Sequence, residues 1–127
     1  MMATFFCPSC WKEIKEEDKA CPYCHADLAD YQQKSFEEKL INALTHPERE
    51  TVRRAAYILG RLKGVLAVKD LRALFDRTGD PYVKREVLEA LDRIGTGEAV
   101  DFIRKAAQSD MSIIRRKAED LLEEHMR

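Results

Sequence analysis

The chain has 127 residues, 45% hydrophobic and 35% charged, and its 22 basic and 23 acidic side chains leave a formal net charge of -1. That length holds one ordinary domain, or a metal-stapled miniature domain joined to a small helical one, and the composition favours the second. A near-neutral chain has no global attraction to nucleic acid or an anionic membrane, no run approaches the roughly 18 apolar residues that span a bilayer, and residues 1–6 lack the basic start of a secretory signal; the expected location is cytoplasmic, away from membranes.

The first element in chain order is a cysteine quartet. Cys7, Cys10, Cys21 and Cys24 form two Cys-x-x-Cys pairs ten residues apart, and in a reducing compartment this pattern points to metal rather than disulfides. Phe6-Cys7-Pro8-Ser9-Cys10 and Ala20-Cys21-Pro22-Tyr23-Cys24 repeat one local pattern, a tight knuckle whose proline fixes one dihedral of the turn. Between them only Trp11, Ile14 and Ala20 are apolar, too few to build a core. Four thiolates fill a tetrahedral zinc ion and leave no open position, so one structural Zn2+ is the expected cofactor, with mononuclear iron as the rival. The segment resembles the short zinc ribbons that carry Cys-Pro-x-Cys-Gly twice; Trp11 and His25 stand here where that family has glycine. The reading assigns residues 1–30 to a zinc ribbon, 31–35 to a linker and 36–127 to a helical domain.

Ser35 followed three places later by Glu38 marks a helix start of capping-box type. Phe36, Leu40, Ile41 and Leu44 then fall on one helical face, which His46-Pro47 ends. A second helix is expected from about Glu48 to Lys63, with Val52, Ala55, Ala56, Leu59 and Leu62 inward and Gly64 as its stop. Helices follow near residues 67–77, 82–94, 98–108 and 111–125, separated by Thr78-Gly79-Asp80-Pro81, Gly95-Thr96-Gly97 and Ser109-Asp110. The count is six helices in three hairpins, a mainly α fold with a small β ribbon in front.

Thr51-Val52-Arg53-Arg54, Tyr82-Val83-Lys84-Arg85 and Ile113-Ile114-Arg115-Arg116 recur with a spacing of 31 residues, a period that marks a stacked helical array. These stretches resemble HEAT repeats of the short bacterial type, the PBS-lyase HEAT-like repeats, in which Asp-Pro, Val-Arg and a closing Leu-Gly or Ile-Gly recur. Asp80-Pro81-Tyr82-Val83-Lys84-Arg85 running to Ile94-Gly95 is the closest copy. The resemblance implies an α-solenoid whose second helices line a concave face. By position, Arg53, Lys84 and Arg115 would join a ladder with Asp80 and Asp110, while Arg54, Arg85 and Arg116 would face solvent or a ligand.

Function reads from these parts as a non-catalytic adaptor that binds another protein through the helical surface or the ribbon. The competing reading is a nucleic-acid-binding accessory protein using the ribbon and the arginine stripe; the acidic balance of the ribbon opposes it. A lyase or chaperone-like role is suggested only by the name of the repeat family. His25, His46 and His125 have no nucleophile beside them, and no phosphate loop or nucleophile elbow is present. Trp11, Tyr23, Tyr31 and Phe36 are expected to seal the ribbon against the first hairpin, and so short an array leaves an uncovered end suited to a homodimer.

Overall fold

A computed structural model describes residues 5–15, 17–29 and 34–124. Tyr31, most of the expected linker and His125 lie outside the described residues. The N-terminal unit is two small hairpins. Strand β1 (Phe5–Phe6) pairs antiparallel with β2 (Glu13–Ile14) in the register Phe5 to Ile14 and Phe6 to Glu13. The second hairpin is closed by a bridge between Ala20 and Asp27 and by the Leu28 amide donating to the Lys19 carbonyl at 3.0 Å. Among the described residues its buried core is Cys7, Cys21 and Leu28, flanked by Cys10, Ile14 and Ala26.

Six α-helices follow among the described residues: α1 (Phe36–Ala43), α2 (Arg49–Arg61), α3 (Val68–Arg77), α4 (Pro81–Ile94), α5 (Gly97–Ala106) and α6 (Ser112–Glu124). Their starts are set by local chemistry. Ser35 accepts from the Glu38 amide at 3.1 Å while Glu38 accepts from the Ser35 amide at 3.3 Å, so the expected capping box forms. Asp80 caps α4 with Pro81 in its first turn, where the missing N–H costs nothing, and Thr96 caps α5. At the other end of α4, Gly95 takes φ 70°, the left-handed stop that glycine adopts without strain.

Apolar residues at helical spacing then build one continuous core, from Leu44 and Val52 through Leu71, Val87, Leu88 and Leu91 to Ile103, Ile114 and Leu121. Helices α1 and α2, α3 and α4, and α5 and α6 pack as three hairpins in sequence. The most extensive helix pair is α2 with α4, whereas α3 and α5 meet at few points. Second helices that approach more closely than first helices curve the array, with α2, α4 and α6 on its inner side. The close approach is permitted by Gly60: a Cβ there would stand 2.8 Å from the Ala90 Cα. The helix therefore runs through Gly60 to Arg61 rather than closing on it.

Three local expectations are corrected. Phe36 and Leu62 remain 64% and 52% exposed, because one opens α1 and the other follows the last residue of α2, beyond the reach of the facing helices. The left-handed residue ending α2 is Lys63 (φ 53°), not Gly64. A Cβ at Gly64 would lie 2.7 Å from Glu37 Oε1 at the start of α1, the end of a flexible side chain that can move aside.

Candidate functional site

The two knuckles are copies of one another in hydrogen bonding. In the first, Trp11 N donates to Cys7 O (2.8 Å) and Cys7 N to Lys12 O (2.9 Å); in the second, His25 N donates to Cys21 O and Cys21 N to Ala26 O, both at 2.9 Å. Trp11 and His25 adopt φ 62° and 65°, so both take the left-handed conformation that glycine holds in the ribbons they resemble. Amides of Ser9 and Cys10 point at Cys7 Sγ (3.4 and 3.5 Å), and those of Tyr23 and Cys24 at Cys21 Sγ at the same two distances. Donors so placed favour sulfur in its negative form.

The knuckles bring the four sulfurs together. Cys7 and Cys24 Sγ are 3.6 Å apart, as are Cys10 and Cys21 Sγ, and all four lie within 4.8 Å of one another. A disulfide needs ~2.05 Å, whereas four sulfurs ~2.3 Å from one zinc ion stand ~3.8 Å apart. The quartet therefore fits a tetrahedral metal ion. Its electrostatics fit too: burial opposes ionisation of Cys21, yet the Cys24 and Tyr23 amides and the Cys10 and Cys24 sulfurs hold that thiol down to about 6. For Cys10 a backbone bond at Lys12 pulls downward, but burial and the Cys21, Cys7 and Cys24 sulfurs push it up to about 11. One negative sulfur opposes ionisation of its neighbour, and a central cation removes that conflict.

This unit is fastened to the first hairpin at one corner. The Asn42 side chain donates to Pro8 O at 3.1 Å, and the Trp11 ring lies 4.6 Å from the His46 ring, tilted by 57°. His46 Nδ1 in turn accepts from the Glu48 amide at 2.9 Å, which fixes the ring at the turn before α2. Of the aromatic residues expected here, Trp11 performs the docking, while Tyr23 is exposed beneath Lys12 Nζ, 4.8 Å from its ring centre. Asn42 carried no signal in the sequence, since one amide on a helix is unremarkable until the ribbon carbonyl it meets is in place.

On the inner face the arginines part company. Arg53 pairs with Glu50 at 3.2 Å and Glu86 at 3.7 Å. Lys84 Nζ donates to Phe75 O at 2.8 Å, and Arg115 donates to Ser109 O at 3.3 Å. The expected ladder to Asp80 and Asp110 is thus replaced: Asp80 binds Arg49 at 2.9 Å and caps α4. Arg85 and Arg116 are brought together in a surface cleft of about 340 Å³ lined also by Ser112, Ile113, Lys117 and Asp120. A second cleft of about 170 Å³ shares Arg85 and Lys117 and adds Arg53, Tyr82, Glu86 and Glu89. Arg54 lines neither.

Lys117 bridges to Glu89 at 2.7 Å, a contact missed in the sequence although opposite charges 28 residues apart lie near one repeat period. Burial and the nearby charge of Glu89 raise the Glu86 carboxyl above its ordinary value, against the pull of Arg53, Arg93 and Lys117.

A family model described as HEAT repeats matches residues 37–123, leaving the cysteine-bearing segment outside the match. The chain is also 29% identical over 111 residues to the deoxyhypusine hydroxylase of Saccharomyces cerevisiae (strain ATCC 204508 / S288c), an alignment that covers 87% of this chain and 32% of that protein. The chain thus spans about a third of the relative it matches. No solved structure matches, and no helix among the described residues is long and apolar enough to cross a membrane.

The expectation that the chain is not an enzyme is overturned by this likeness to a protein named for its hydroxylase activity.

Proposed function

The chain belongs to the HEAT-repeat family, and on that footing we propose that it is a recognition module in which a four-cysteine zinc centre locks a small ribbon onto a curved three-hairpin scaffold. The inner face of α2, α4 and α6 receives a segment of another protein. The observation that carries this reading is a pair of neighbouring clefts that share Arg85 and Lys117 and whose lining residues come from all three second helices, α2, α4 and α6. A HEAT array buries its own hydrophobic faces by stacking, which frees its inner surface for partners.

Cys7, Cys10, Cys21 and Cys24 would hold the ion, and a filled thiolate set gives it a structural part. With three buried residues in its core, the ribbon depends on metal for folding energy, and a reducing, cytoplasmic setting keeps the thiols available. The test is crosslinking from single photoreactive residues on the inner face, set against the same probes on α1, α3 and α5. Crosslinks confined to the outer helices would sink the reading. Elemental analysis of protein purified under reducing, chelator-free conditions tests the metal.

A second reading rests on the likeness to deoxyhypusine hydroxylase: the chain by itself hydroxylates deoxyhypusine. Incubation of the metal-loaded chain with a deoxyhypusine-bearing protein, dioxygen and a two-electron reductant, so that one oxygen atom enters the substrate and the other leaves as water, read by mass spectrometry for one added oxygen, decides it. No gain across a range of divalent metals removes this reading and leaves the recognition module standing.

A further inference from the structure

The clefts on the inner face differ in what their charges are already doing. Lys117 is committed to Glu89 at 2.7 Å and Arg53 to Glu50 and Glu86. Arg85 and Arg116 have no ion-pair partner among the described residues, and Asp120 is the one acid lining their cleft. Two guanidinium groups that line one cleft, neither in an ion pair among the described residues, call for an anion from outside; each offers the planar fork that grips a carboxylate through two parallel hydrogen bonds. A cleft of about 340 Å³ is near the small end of the ~300–1,000 Å³ range of ligand sites, suited to one side chain with its water.

The surroundings select the kind of anion. Asp120 lines the same cleft as the two arginines, and Glu86 and Glu89 line the neighbouring one, which shares Arg85 and Lys117 with it. A polyphosphate backbone would meet these acids at each step, whereas a peptide can place single carboxylates at the arginines and neutral residues opposite the glutamates.

We infer that the α4–α6 cleft is the docking point for an acidic segment of a protein partner, one Glu or Asp side chain being held between Arg85 and Arg116. This rests on the recognition reading above and gives that surface its partner chemistry.

The test uses the full metal-loaded chain and a fluorescein-labelled peptide of eight glutamates, followed by anisotropy at several salt concentrations. Binding should saturate and weaken as salt rises. Arg85→Gln and Arg116→Gln should each lower affinity by about tenfold, the loss of one charge-assisted pair, with Arg54→Gln unchanged. Asp120→Asn should tighten binding, a gain that misfolding cannot produce. Absence of saturable binding, equal binding by the Arg85→Gln and Arg116→Gln variants, or tighter binding of a phosphoserine peptide or single-stranded DNA of equal charge would overturn the inference. Inner-face crosslinking to a partner that persists in Arg116→Gln overturns the cleft while sparing the recognition module; an inner face that crosslinks to no protein removes both.

Discussion

Replacing Gly60 with alanine asks whether the inner layer of the array is as tightly spaced as the structure shows. A methyl group at this position would meet the Ala90 Cα at 2.8 Å, its Cβ at 3.1 Å and its carbonyl oxygen at 3.4 Å. The first contact is with backbone, so relief requires α4 to move as a body. Alanine improves intrinsic helix propensity by ~1 kcal/mol over glycine, whereas overpacking a tight core costs ~1–3 kcal/mol; with backbone as the obstacle the upper part of that range applies. The expected net loss is ~1–2 kcal/mol, which for a domain of this size lowers Tm by roughly 4–8 °C per kcal/mol. Thermal and urea unfolding followed by circular dichroism would read it. Gly97 supplies the internal control: it opens α5 with no atom within 4 Å of a built Cβ, so Gly97→Ala should stabilise by up to ~1 kcal/mol. If Gly60→Ala behaved like Gly97→Ala, the close α2–α4 contact, and the curvature derived from it, would be refuted.

Other outcomes follow from single features. Lys63→Gly should raise stability by ~1 kcal/mol, because Lys63 holds φ 53° at the end of α2; an unchanged Tm would mean that the turn is not strained. Cys24→Ser should abolish metal binding and disorder the ribbon while leaving the far-ultraviolet helical signal nearly intact, as hydrogen exchange of residues 5–29 against residues 36–124 can measure. Trp11→Ala should release the ribbon from the first hairpin without loss of metal, detectable as independent tumbling in NMR relaxation.

For Glu86 the folded carboxyl titrates above the unfolded one, so its favourable contribution is complete below the ordinary glutamate value of 4.5 and is lost as pH rises through the higher folded value. Glu86→Gln should therefore gain stability relative to the parent chain across that window, and parallel pH profiles would contradict the shift.

Features whose physics acts within one turn of chain were legible before any packing was known. The Ser35–Glu38 box, Asp80-Pro81 at the start of α4, Gly95 at its end and the paired knuckles of Cys7, Cys10, Cys21 and Cys24 are each decided by neighbours a few residues away. The 31-residue recurrence of Val52, Val83 and Ile114 likewise announced a stacked array, because hairpins that cannot bury their faces alone must repeat them.

How the hairpins meet is settled by packing: Gly60 serves contact with Ala90, Arg53 answers Glu86, Lys117 answers Glu89, and Trp11 rests on His46. Arg54, Arg85 and Arg116 look equivalent in the repeat, yet helix packing angles and the reach of each side chain place Arg85 with Arg116 in one cleft and leave Arg54 outside it. Those quantities depend on side chains one repeat away, which no local pattern contains.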